Sequence, residues 1–238
     1  MKKLFEIGGV VAAGVLIAFG IAAIVMGFNG RSTVNDSLKQ EQITGTPDMT
    51  PAAIQSEVAA AKASQAKLVS QLQAAGVKIK PSPIKAPTGS VAGKLIDTGA
   101  EARTFAKYMR IHTFGATSGL TYSQMGRYIA KPGTPIKFTD GLGATSDPTK
   151  AMTDPKTKQP VANGRRDIWV TYTALTTALN TSYMASQLAL FGVVVGIALL
   201  LAGIGFAILA IGGALESPRT ALSSFRKERA EPVVPAKA

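Results

Sequence analysis

His112 is the only histidine in 238 residues, and no cysteine accompanies it. Those two residue types hold most transition metals, so a metal centre here would have to complete its ligand set with carboxylates. None lies at ligand-like spacing from His112 in the sequence, and a structural role is expected. Asp97 and Glu101 stand four residues apart and could divide acid and base work between them. At the start of a helix the same pair suits the helix dipole. Asp140, Asp147 and Asp154 recur every seven residues, without the alternating acids and central Gly of a calcium loop. The chain has no G-x-S-x-G, no P-loop and no G-x-G-x-x-G. No catalytic, cofactor-binding or metal residues are therefore expected, and no cofactor.

Binding has more to work with. Lys107, Tyr108, Arg110, Arg127 and Tyr128 interleave cations with aromatic rings, a candidate patch for a partner or an anionic surface, against the alternative of ordinary helix surface. Residues 29–185 carry nineteen Lys and Arg against ten Asp and Glu. Such an excess favours anionic lipid headgroups or wall polymers.

Two apolar runs must position whatever these residues do. Residues 8–28 and residues 186–215 are each long enough to cross a hydrocarbon core of about 30 Å as helix, which takes about 20 residues. The first run exceeds the about 7–15 apolar residues of a cleaved secretory signal, so it reads as a retained anchor. Lys2 and Lys3 precede it, and Arg219, Arg226, Lys227 and Arg229 follow the second run. The positive-inside rule then puts residues 1–7 and the basic tail 216–238 in the cytoplasm. Residues 29–185 face outside, where nucleic acid is not an expected partner.

Small residues mark the faces on which the spans should pack. Gly192 and Gly196 form GxxxG, Gly203 and Ala207 repeat the spacing, and Gly14, Ala18 and Ala22 do so in the first span. Close backbone approach matters in lipid because apolar burial gives no net drive there. The partner is either the other span or a second subunit.

In the outer region the first helix is expected to continue to about Glu41. Thr50 with Pro51 starts another helix whose stripe is Ile54, Val58, Leu68 and Leu72, ending at Gly76. Residues 78–88, with three prolines and three lysines, read as an extended connector. Thr98 and Glu101 have capping-box spacing and open a helix with Phe105, Tyr108, Met109 and His112 on one face. A short helix is expected over "YSQMGRYI", and residues 130–164 read as loop with a small hairpin around Ile136 to Phe138. Ile168, Tyr172, Leu175, Leu179 and Tyr183 recur at helical spacing, predicting one helix from about Asp167 to about Leu215. The expected fold class is an all-α membrane protein: two long antiparallel transmembrane helices extending into a small helical extracytoplasmic domain.

"NGRSTVNDSLKQEQITGTPDMTPAAI", "SVAGKLIDTGAEARTFAKYMRIHT", "GLTYSQMGRY" and "QPVANGRRDIWVTYTALTTALNTSYMASQLALFGVVVGIALLL" resemble a group of actinobacterial two-span membrane proteins. The likeness covers nearly the whole chain apart from the tail. Members often carry the label "aromatic ring-opening dioxygenase", which implies a subunit of a protocatechuate-type enzyme. Relatives tend to have Cys where Gly89 and Thr104 stand, and the resemblance implies a loop-closing pair that this chain lacks. The stretch "AAAKASQAKLVSQLQAAGVKIKPSPIK" is an insert relative to the group.

An extradiol iron centre needs two His and a carboxylate, which one histidine cannot supply. The expected function is a non-enzymatic integral membrane protein, an accessory or scaffold subunit binding another membrane or envelope protein, or itself, with lipid around its spans. The alternatives are an anionic-ligand binding or sensing module and a dioxygenase subunit.

Overall fold

The computed structural model describes residues 2–212, so the tail 216–238 and the last residues of the second apolar run lie outside the described residues. Four helices dominate: α1 (Lys2–Gln40), α2 (Gln55–Ala74), α3 (Gly99–Ala116) and α4 (Gly164–Ile211). One two-stranded antiparallel sheet pairs β1 (Tyr128–Ile129) with β2 (Ala144–Thr145). Contacts divide the chain into two units, Met1–Ser32 with Gln187–Ala238, and Thr33–Ser186.

In the first unit α1 and α4 are both long and apolar enough to cross a membrane. They meet through small residues. A Cβ added to Gly27 would strike Val193 and the carbonyl of Ala189, and one added to Gly203 would strike Ile17 and the carbonyl of Ala13. Ala13 and Ala210 are buried, whereas Val10, Phe19, Met26, Leu188 and Phe191 point outward and exposed.

The second unit has its own core. Ile54, Val58, Leu68 and Leu72 of α2 pack with Phe105, Tyr108, Ile111 and Phe114 of α3, and Leu38, Trp169 and Leu179 close the cluster. The expected α2 stripe is buried throughout, as are Phe105, Tyr108 and Leu179, each such side chain being worth about 1.5–3 kcal/mol. Met109, His112, Tyr172, Leu175 and Tyr183 are only half-buried, and Ile168 is exposed, its place in the core taken by Trp169. Trp169 Nε1 donates to the Leu120 carbonyl at 2.8 Å, and its ring meets Phe114 and Tyr172 edge-on at 5.6 and 5.1 Å. Arg103 stacks on Tyr183 at 4.4 Å, holding the first half of α3 to α4.

Local chemistry fixes the helix ends. Thr98 caps α3, its hydroxyl accepting from the Glu101 amide at 3.3 Å and donating to the Glu101 carboxylate at 2.8 Å. Thr50 accepts from the Ala53 amide, but only a turn follows before α2 begins at Gln55. The break after α1 is itself docked: Ile43 and Gly45 pair with residues 93–96 through backbone bonds of 2.8–2.9 Å. A side chain at Gly45 would collide with the Val91 carbonyl, 1.9 Å from an ideal Cβ.

Two expectations are corrected. "YSQMGRYI" forms only a 3-10 turn, Tyr122–Gln124, and then enters β1. Ile136–Phe138 is a 3-10 turn rather than strand, and lies in the connection between the antiparallel strands β1 and β2; separate bridges join Ala130 to Ala151 and Thr153 to Pro160. Buried Asp140 organises this segment, accepting from the amides of Gly126, Leu142 and Ala144 at 2.9–3.0 Å. A carboxylate is the residue for such a turn because its two oxygens satisfy several otherwise orphaned backbone donors.

Candidate functional site

Three chemically notable places lie in the second unit. The first surrounds His112. Its Nδ1 lies 2.9 and 3.1 Å from the two Glu57 oxygens, and its Nε2 lies 3.5 Å from Asp48 Oδ2. This corrects the expectation that no carboxylate accompanies His112: α2 supplies Glu57 and the segment after α1 supplies Asp48. The three ligand atoms lie within 4.8 Å of one another, close enough to hold a divalent cation. The ring faces the two acids with opposite nitrogens, however, and a metal could take only one of them while the other nitrogen met an orienting carboxylate. Thr46 donates to Asp48 and is the main cause of an Asp48 pKa below the usual carboxylate value. As it stands, the arrangement is an imidazole clamped between two acids, which ties α3 to α2 and to the preceding segment.

The second place is a cleft of about 440 Å³ where the proline-rich connector runs beside α3. Pro83, Lys85, Pro87 and Thr88 form one wall, and Lys107 and Arg110 the other. The connector is held rather than loose. Ile84 is buried, the Tyr108 hydroxyl donates to the Gly89 carbonyl at 2.7 Å, and Gln124 donates to the Lys80 carbonyl at 2.7 Å. The Arg110 guanidinium lies 4.9 Å from the Phe114 ring centre and 5.8 Å from that of Trp169. None of Lys85, Lys107 and Arg110 pairs with a carboxylate among the described residues.

The third place is a cleft lined by Tyr122, Arg127, Asn163, Arg166 and Asp167. Arg166 sits 3.8 Å over the Tyr122 ring, and Asp167 offsets part of the positive charge.

The five residues of the expected basic and aromatic patch are therefore distributed. Lys107 and Arg110 share the connector cleft, and Arg127 belongs to the other. Tyr128 is half-buried in β1. Tyr108 is fully buried, and burial raises its phenol pKa above the ordinary value. The helical face expected from Phe105, Tyr108, Met109 and His112 already placed Tyr108 on the packed side of α3. Lys85 is the residue that sequence reasoning missed, because nothing local ties residue 85 to residues 107 and 110.

The small residues separate in the same way. Gly196 and Gly203 meet α1 at close range, and Gly192 makes an ordinary contact, an ideal Cβ standing 3.7 Å from the Ala23 carbonyl. Ala207 is half-buried. Gly14, Ala18 and Ala22 are exposed, and a Cβ on Gly14 would meet nothing within 4 Å. The face of α1 that meets α4 instead carries Ala13, Ile17, Gly20 and Gly27.

The three acids at seven-residue spacing each bind backbone. Asp140 accepts from the Gly126, Leu142 and Ala144 amides, Asp147 accepts from the Thr149 amide at 2.9 Å, and Asp154 accepts from those of Lys156 and Thr157, both at 2.8 Å. No protein-family model matches the chain, and no curated protein or solved structure matches it.

Proposed function

We propose that this chain is a non-enzymatic integral membrane protein with two antiparallel spans, acting as an accessory or scaffold subunit through its helical second unit. The observation that carries the reading is the outward surface of the two long helices, where Met26 is 73% exposed, Leu188 71% and Phe191 63%. Water-facing helices alternate polar and apolar faces, whereas lipid-facing ones are apolar all round. Antiparallel packing is supported by the order of the close approaches, Ala13 and Ile17 to Gly203, Gly20 to Gly196, and Gly27 to Val193.

Lys2 and Lys3 before the first span and the basic residues after the second favour cytoplasmic termini, with residues 29–185 outside. Gly14, Ala18 and Ala22 face away from α4, which suits a helix of another subunit. A dioxygenase subunit finds less support: two His with a carboxylate hold the iron of such enzymes, and here one imidazole sits between two acids.

The test is isolation of the tagged protein from its native membrane after gentle crosslinking, with native mass and mass-spectrometric identification. A stoichiometric membrane partner is the expected result. Recovery of the protein alone would overturn the accessory role.

A further inference from the structure

The geometry points to the connector cleft as a binding site for a phosphate-bearing ligand, held by Lys85, Lys107 and Arg110. Three cations from two chain segments face one cleft without a carboxylate to neutralise them. Like charges brought together cost free energy unless an anion joins them, so the uncompensated positive charge is itself the signal. The second basic cleft lacks it, because Asp167 shares its lining and Arg166 is stacked on Tyr122.

The site is also built before any ligand arrives. The connector is fixed at Lys80 and Gly89 by the Gln124 and Tyr108 side chains, and Ile84 anchors it between those points. Arg110 is restrained by the rings it stacks on. Proline at 83 and 87 restricts the wall further. Preorganisation of this kind spares a ligand the entropy of ordering the loop.

The chemistry of the lining selects the ligand class. Guanidinium and ammonium groups together suit phosphate, which offers several oxygens and up to two charges, better than a single carboxylate. Thr88 adds a hydroxyl. The prolines and the aliphatic stems of the lysines provide apolar walls, and about 440 Å³ falls in the range of small-molecule sites, well above what a bare ion needs. A phosphate ester with an organic body fits, either free in solution or as the headgroup of an anionic lipid.

The experiment uses the full chain in nanodiscs of zwitterionic lipid, titrated with inorganic pyrophosphate and followed calorimetrically. Saturable binding is expected, weakening as salt is raised. Lys85→Gln/Lys107→Gln should lower the affinity at least about tenfold, the loss expected when charge-assisted contacts are removed. Lys156→Gln/Lys158→Gln, on an exposed turn, should leave it unchanged. Arg110 is left intact because its loss would disturb the packing on Trp169.

In a second arm, nanodiscs doped with phosphatidylglycerol are titrated in the same way. Competition that disappears in the Lys85/Lys107 variant assigns the headgroup as a source, and no competition assigns a free phosphate ester. Absence of saturable pyrophosphate binding, or equal binding by both double variants, would overturn the proposal. Neither outcome depends on whether a membrane partner co-purifies.

Discussion

An ideal Cβ on Gly196 would stand 2.7 Å from the Gly20 carbonyl oxygen, and one on Gly20 would stand 2.8 Å from the Gly196 carbonyl oxygen. The two backbones therefore touch where any side chain would separate them. Gly196→Leu should destabilise the pairing of α1 with α4 by about 1–3 kcal/mol, the usual cost of overpacking. Gly192→Leu should cost less, since its nearest contact is already at 3.7 Å, and Gly14→Leu should leave the isolated chain unaffected. Thermal unfolding in detergent ranks the three, and equal effects would refute this account of the packing.

A Cβ on Gly89 would lie 3.4 Å from Thr104 Cγ2, so the connector and α3 approach to disulfide range. Gly89→Cys/Thr104→Cys should oxidise to a crosslink, visible as a mobility shift that reductant removes. Closing a loop of about 15 residues is worth about 3 kcal/mol at most, and the melting temperature should rise accordingly. A pair that stays reduced in oxidising buffer would show that the two segments do not hold this separation.

The helices were legible because their determinants are local. Thr98 and Glu101 stand three residues apart, and the stripe of α2 can be read by counting, whereas on α4 counting picks exposed Ile168 in place of its buried neighbour Trp169. The segment after Thr121 was not, since its fate depends on Asp140. That residue draws in the Gly126 amide at 3.0 Å, and there an ideal Cβ would lie 2.3 Å from the Thr145 amide nitrogen. Helical spacing carries no record of such a tertiary capture. The same holds for His112 and its acids, which lie 55 and 64 positions away, and for Lys85 beside Lys107. On α1 the small-residue pattern was visible, but two registers of small residues run along the helix and only packing distinguishes them.

Removing His112 should leave Glu57 and Asp48 without the imidazole that each of them contacts. His112→Ala is expected to destabilise the second unit by about 1 kcal/mol, a figure kept small because all three groups are partly solvated. Glu57→Gln should cost a similar amount, and combining the two should cost less than their sum, since both break one interaction. Chemical denaturation of the four proteins gives the coupling. Zinc should leave the wild-type melting temperature unchanged if the imidazole stays clamped by both acids, whereas a stoichiometric rise would reassign the triad as a metal site.

Acid should open the segment between β1 and α4 at a particular place. Asp147 accepts hydrogen bonds from Lys150 and from the Thr149 hydroxyl and amide, which hold its pKa down to about 2. Asp154 is lowered in the same direction, mainly by the Thr157 and Lys156 amides. A carboxylate whose folded pKa lies below its unfolded value stabilises the fold fully above the unfolded value, about 3.9, and loses that contribution as pH falls through the folded one. Amide exchange around Thr149 and Thr157 should therefore be insensitive to this equilibrium at neutral pH; protection at Thr149 should be lost between about pH 4 and 2, and protection at Thr157 should fall as pH drops below about 4. Asp147→Asn should abolish the transition at Thr149 while leaving that at Thr157, because the two turns are closed by separate acids. Loss of both together would mean that the segment opens as one cooperative unit around Asp140.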